Sequence, residues 1–122
     1  MAKLGGTVTE LWRYPVSALR GLVTCYTTFA LVHPHLLDAL VTEAPNIPSD
    51  LAAPLLQAQH EYVDEWVHLL QRIHTDLDTT RARVVVQAGL TLINDLARTP
   101  GIRVRPEAGD LIIELCRKVL KI

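Results

Sequence analysis

Aromatic side chains are scarce in this chain: one Phe, two Trp and three Tyr among 122 residues. Leu, Val and Ala dominate the 49% that is hydrophobic, a composition suited to packed helices. An excess of either charge is also missing. Twelve Lys and Arg stand against thirteen Asp and Glu, for a net charge of −1, which excludes a global basic field for holding nucleic acid. The small basic groups Arg98, Arg103 and Arg105, and Arg117, Lys118 and Lys121, read as solvated helix ends. There are only two cysteines, Cys25 and Cys116, too far apart for a redox or zinc motif. Each lies in an apolar segment and reads as a buried free thiol of a reducing compartment. A long hydrophobic run is absent too. The stretch MAKLGGTVTELWRYP has no continuous apolar core of the signal-peptide kind. The longest uncharged run, Gly21–Leu37, is just short of a membrane span and carries threonines, His33, Pro34 and His35. A buried helix fits it better, and the expectation is a soluble, cytoplasmic protein that does not engage a membrane.

What is present is helical periodicity. The length suits one domain, with residues 1–14 as an irregular lead-in and 15–122 as the folded unit. Pro15 fits the first turn of a helix, where its missing N–H costs nothing. Leu19, Leu22, Val23, Tyr26, Phe29 and Ala30 then follow helical spacing, until Pro34 ends the helix near Val32. A short helix is predicted over His35–Thr42, and Ala44–Asp50 is the clearest loop. A long amphipathic helix follows from about Leu51 to His74. Its apolar face holds Leu55, Tyr62, Trp66, Leu69 and Ile73, flanked by Leu56, Val63 and Leu70. Asp78 is positioned as an N-cap for a helix ending at Thr99–Pro100–Gly101. The last helix is predicted from Pro106 to Leu120, with acidic residues early and basic ones late, as the helix dipole favours. No period-two pattern survives, and the fold class expected is all-α, a bundle of about five helices.

The penultimate helix, RARVVVQAGLTLINDLART (Arg81–Thr99), has more apolar surface than one core uses. Val85, Gly89, Leu92 and Leu96 form one stripe, and Val86, Leu90, Ile93 and Ala97 a second. A surface helix needs one stripe, so the other predicts a second subunit.

Signals for chemistry are weak. His60, Asp64 and His68 share one helix face beside Glu61 and Glu65, but a third ligand is not indicated, and the pattern reads as a solvated face rather than a metal site. Ser17 and Ser49 sit where helix capping explains them. Gly5–Gly6 and Gly101 lack a phosphate-loop context. No catalytic residue, metal or cofactor is therefore assigned, and the chain does not read as an enzyme. In the first helix, Thr24, Tyr26, Thr27, Thr28 and Phe29 mix hydroxyls and rings. Either they line a mostly apolar pocket with a few orienting polar groups, or the threonines bond back to the preceding turn.

The segment LRGLVTCYTTFALVHPHLLDALV (Leu19–Val41) resembles the start of the effector-binding domain of tetracycline-repressor-like (TetR) transcriptional regulators. The shared pattern L-x-x-L-x-x-x-Y-x-x-F-A-x-x-H-P falls on Leu19, Leu22, Tyr26, Phe29, Ala30, His33 and Pro34. HEYVDEWVHLLQRI is similar to that family's long central helix. DLDTTRARVVVQAGLTLINDLARTP and PEAGDLIIELCRKVL are similar to its last two, so the likeness covers about residues 15–121. It implies a C-terminal effector-binding and dimerisation domain whose last two helices pair with those of a second copy. Ligand-binding residues are then expected at Tyr26, Thr27, Phe29, Tyr62 and Trp66, for a small, hydrophobic effector. The homodimer face is expected at Val85, Gly89, Leu92, Ile93, Ile112, Leu115 and Val119. Family members carry a helix-turn-helix ahead of this region, whereas TVTELWRYP offers only a faint echo of a recognition helix. An isolated helix of that kind is marginally stable and cannot be positioned in a major groove. The expectation is a domain without its own DNA-binding head, whether a truncated regulator, a wrongly assigned start or an excised domain, that does not bind DNA by itself. The alternatives are a small helical protein that forms mixed dimers with a full-length regulator, or an inert remnant.

Overall fold

The computed structural model describes residues 14–34 and 49–122, the side chains at 49, 51, 52, 55 and 56 excepted. The described chain is an all-α bundle of five helices without strands. They are α1 (Pro15–Val32), α2 (Ser49–Ile73), α3 (Thr79–Arg98), the single turn α4 (Pro100–Arg103) and α5 (Ala108–Leu120).

Local chemistry sets most of these bounds. Pro15 opens α1 at its first turn. The Asp78 carboxylate accepts from the Arg81 backbone N–H at 2.7 Å and caps α3, satisfying one of the donors that the first helical turn leaves unpaired. Two boundaries differ from the sequence reading. The chain after Thr99 does not simply stop: Pro100 at a first-turn position starts the extra turn α4, so the last helix begins at Ala108 rather than Pro106. The long helix starts at Ser49 and accommodates Pro54 inside its second turn. The short helix expected over His35–Thr42, and most of the lead-in and of the Ala44–Asp50 loop, lie outside the described residues.

The core runs through the four longer helices. α1 supplies Leu19, Val23 and Ala30, and α2 supplies Trp66, Val67, Leu69 and Leu70. Ala82, Val86, Leu90, Ile93 and Ala97 come from α3, and Ala108, Ile112, Cys116 and Leu120 from α5. α3 packs on α5, α2 and α1, and α1 also packs on α2 and α5. α1 is apolar and long enough to cross a membrane by composition. In the bundle it turns the Leu19–Val23–Thr27–Ala30 face inward. Cys116 is buried as expected, but Cys25 is exposed. It lies beside that inward face rather than on it, so an apolar neighbourhood in sequence did not translate into burial.

α3 and α5 lie antiparallel, because the short connection through α4 brings mid-helix Gly89 against Cys116 and Leu120 near the end of α5. A Cβ at Gly89 would stand 3.2 Å from Cys116 Sγ, so the missing side chain sets how closely the two helices approach. The end of α5 is tied down at several points. Ile122 N–H donates to Arg117 O, and Lys121 N–H to Lys118 O, with Lys121 left-handed at φ 57°; this is a Schellman closure. His74, just past α2, places Nε2 3.0 Å from Leu120 O and 3.1 Å from Lys121 O. Both neighbours are acceptors, so Nε2 carries the proton. Arg20 of α1 donates to Ile122 O from Nε at 2.7 Å and also from Nη2.

Candidate functional site

Three of the chain's six aromatic rings meet between α1 and α2. Tyr26 and Tyr62 stack with centroids 6.0 Å apart at an interplanar angle of 29°. Tyr26 and Trp66 meet edge to face at 6.0 Å and 83°. Tyr62 and Trp66 close the triangle at 5.9 Å and 58°. Each pair lies in the range where ring quadrupoles attract. Tyr62 and Trp66 are brought together by their i, i+4 spacing on α2, and Tyr26 faces them from α1. The Tyr26 hydroxyl donates to Asn94 Oδ1 on α3 at 2.6 Å, so the triangle is tied to a third helix. On another face of α2, Asp64 forms a half-exposed pair with Arg83 of α3 at 2.7 Å.

Exposure is graded across this cluster. Trp66 is fully buried, whereas Tyr62 retains 36% of its surface at the rim. Burial pushes the Tyr26 and Tyr62 hydroxyls above the usual value of 10.0, against the lowering effect of the Asn94 bond on Tyr26. Both therefore stay protonated near neutrality. Among the described residues, two buried side-chain polar atoms have no hydrogen-bond partner, Trp66 Nε1 and Thr27 Oγ1. The Trp66 indole N–H approaches the Tyr62 hydroxyl without reaching hydrogen-bond geometry.

Four of the five expected ligand residues thus fall in one region of the bundle interior or its rim: Tyr26, Tyr62, Trp66 and the buried Thr27. Phe29 does not join them. It is 40% exposed and packs its ring on His33 at 5.2 Å, because it lies farther round α1 from the inward Leu19–Val23–Thr27–Ala30 face than Tyr26 does. Asn94 escaped the sequence reading, since a lone Asn in an amphipathic helix carries no local signal. The remaining hydroxyls follow the bland alternative: Thr24 donates to Arg20 O and Thr28 to Thr24 O, as back-bonded helical threonines do.

The expected dimer face divides. Ile93 is fully buried, Ile112 is 1% exposed, and Gly89 lies under Cys116 and Leu120. Their assignment to a face between subunits is therefore corrected: their own chain covers them, and they hold α3 on α5. Val85, Leu92 and Val119 are half-buried, and Leu115 is 43% exposed beside Leu111 at 50%. By helical spacing, Val85, Leu92 and Leu96 flank the outer side of the α3–α5 contact, and Leu111, Leu115 and Val119 flank it from the other helix.

No three His, Cys, Asp or Glu side chains converge into a possible metal site among the described residues. His60 and His68 are exposed, and Asp64 is engaged by Arg83. A surface depression of about 610 Å³ lies along α5, lined by Asp110, Ile113, Glu114, Arg117, Lys118 and Lys121 with Ile122. Lys118 and Glu114 form an ion pair on its wall at 3.3 Å.

In comparisons with known proteins, the chain matches no family model, no curated protein and no solved structure.

Proposed function

We propose that this chain is an effector-binding and dimerisation module of the TetR-like kind, in which two copies pair through the outer side of α3 and α5. The observation that carries the reading is the pairing of two apolar rows on one antiparallel helix pair. Leu111 and Leu115 remain exposed next to half-buried Val119 and to Val85, Leu92 and Leu96, which pack only their inner sides on the edge of the core. An amphipathic helix that has met its core requirement normally turns charge outward. A leucine row left beside it is what a four-helix seam between subunits uses. The aromatic triangle between α1 and α2 supplies the second part of the reading, an apolar interior with few polar groups for a small ligand. In a regulator of this kind, a ligand between α1, α2 and α3 would shift α3 and so alter the seam. The same seam would serve a mixed dimer with another regulator chain.

The test is association of the full chain with substitutions on and off the seam. Each Leu buried at an interface contributes roughly 1.5–3 kcal/mol, and a charge there adds a desolvation cost. Leu115→Glu is expected to weaken self-association at least tenfold, whereas Val84→Glu, on a different side of α3 and 63% exposed, leaves it unchanged. Equal association of Leu115→Glu and the parent chain would remove the seam from the proposal.

A further inference from the structure

The charges that flank the apolar rows of α3 and α5 are sorted by end. The two helices are antiparallel, with Gly89 against Cys116, so the start of α3 lies beside the end of α5. Arg81 stands in the first turn of α3, against the preference of the helix dipole, and it shares its end of the pair with Lys118 of α5. Towards the other end, Asp95 of α3 accompanies Glu114 of α5. Midway between Arg81 and Asp95 lies Ala88, next to Gly89, and midway between Glu114 and Lys118 lies Cys116. The centres of the two charge patterns are therefore level with each other, at the Gly89–Cys116 contact. Within the chain these groups form only exposed pairs along their own helices. Arg81 meets Asp78 at 3.9 Å, Asp95 meets Arg98 at 3.6 Å and Glu114 meets Lys118 at 3.3 Å, contacts of little worth in water. Arg103, Arg105 and Glu107 of the connection through α4 lie beyond the rows at one end, as do Asp76 and Asp78 at the other.

We propose that the second copy lies on this side reversed, α5 on α5 and α3 on α3, about a two-fold axis level with the Gly89–Cys116 contact. The inference rests on the seam proposed above and specifies the orientation and the charge pattern of the partner it takes. A pair of antiparallel helices can face its own copy about a two-fold axis in two ways. With the axis along the helices, α5 covers α3 of the other copy and like ends coincide, Lys118 with Arg81 and Glu114 with Asp95. With the axis across the helices, each helix meets itself reversed. Glu114 then stands opposite Lys118, and Arg81 opposite Asp95, each pair being made once on either side of the axis. The apolar rows meet between these pairs. At 1.5 Å rise per residue, Leu115 falls within about 3 Å of the level of its own copy, whereas the two Leu111 side chains are about 15 Å apart along the helices. A mixed-dimer partner has to carry the same polarity, because like charges across an interface select against any other.

Disulfide trapping and a charge-swap cycle in the full chain test the orientation. In a Cys25→Ser background, where the remaining thiol, Cys116, is buried, Leu115→Cys is expected to give a covalent dimer on mild oxidation. Leu111→Cys is expected to give none, because a separation of about 15 Å exceeds the roughly 7 Å that a disulfide spans between Cα atoms. Both positions are exposed, so neither substitution disturbs the core. Arg81→Glu and Asp95→Arg are each expected to weaken association about tenfold, and together to regain the parent affinity, since the pair they reverse is re-formed across the axis. Trapping through Leu111→Cys but not Leu115→Cys, or a double variant no tighter than the single ones, would overturn the orientation. Sedimentation of the parent chain separates the two proposals: a dimer that fails these tests overturns this one alone, whereas a monomer removes the seam itself.

Discussion

Two residues at the end of the bundle carry quantities that follow directly from their geometry. Lys121 closes α5 in the left-handed region, at φ 57°, where a Cβ costs roughly 1 kcal/mol and glycine is at home. Lys121→Gly leaves the His74 contact intact, because that contact is to a backbone carbonyl. It is expected to raise unfolding stability by about 1 kcal/mol in denaturant titration; a loss would mean that the lysine side chain contributes more than its backbone strain removes. Cys116 makes a pH prediction. Burial pushes its thiol from 9.0 up to about 11, so the folded chain holds the proton after the unfolded chain has released it. The associated stability is complete below pH 9 and is lost as pH rises from 9 towards 11, by at most roughly 2–3 kcal/mol. The raised hydroxyls of Tyr26 and Tyr62 erode stability in the same direction above 10.0. Cys116→Ala should therefore flatten the early part of that decline, measured as chemical stability from pH 8 to 10, while leaving the later part. An unchanged slope would contradict the assignment to Cys116.

Among the elements, α3 shows best what a sequence can and cannot say. Its two apolar stripes were legible from spacing alone, as were its Asp78 cap and the first-turn proline of α1, because these are local rules. Which stripe faces inward is decided by neighbours far away in sequence, and there the spacing was insufficient. Gly89 belonged by position to the outer stripe but is drawn under Cys116 and Leu120, while Ile93 and Ile112 are consumed by the core. The aromatic triangle was partly legible for the same reason: the i, i+4 pair Tyr62–Trp66 is local, but the Asn94 partner and the outward turn of Phe29 are tertiary. The α3–α5 contact yields a prediction of its own. Gly89→Ala gains roughly 1 kcal/mol of helix propensity but drives a Cβ to 3.2 Å from Cys116 Sγ, a fully buried atom with little room to move. Alone it is expected to be neutral or destabilising. With Cys116→Ala the obstacle is gone, and Gly89→Ala is expected to stabilise by about 1 kcal/mol in that background. Additive effects in the double-mutant cycle would show that the two helices are not in contact at this point.

For the molecule as a whole, the described helices close over a continuous core and leave Leu111 and Leu115 exposed on one side. The seam proposed there is the feature on which the regulator-like reading depends. Its most direct test is sedimentation equilibrium of the full chain at micromolar concentration. The account predicts a mass twice the 13.6 kDa of one chain, reverting towards 13.6 kDa on Leu115→Glu. A parent chain that sediments as a monomer throughout that range would contradict it.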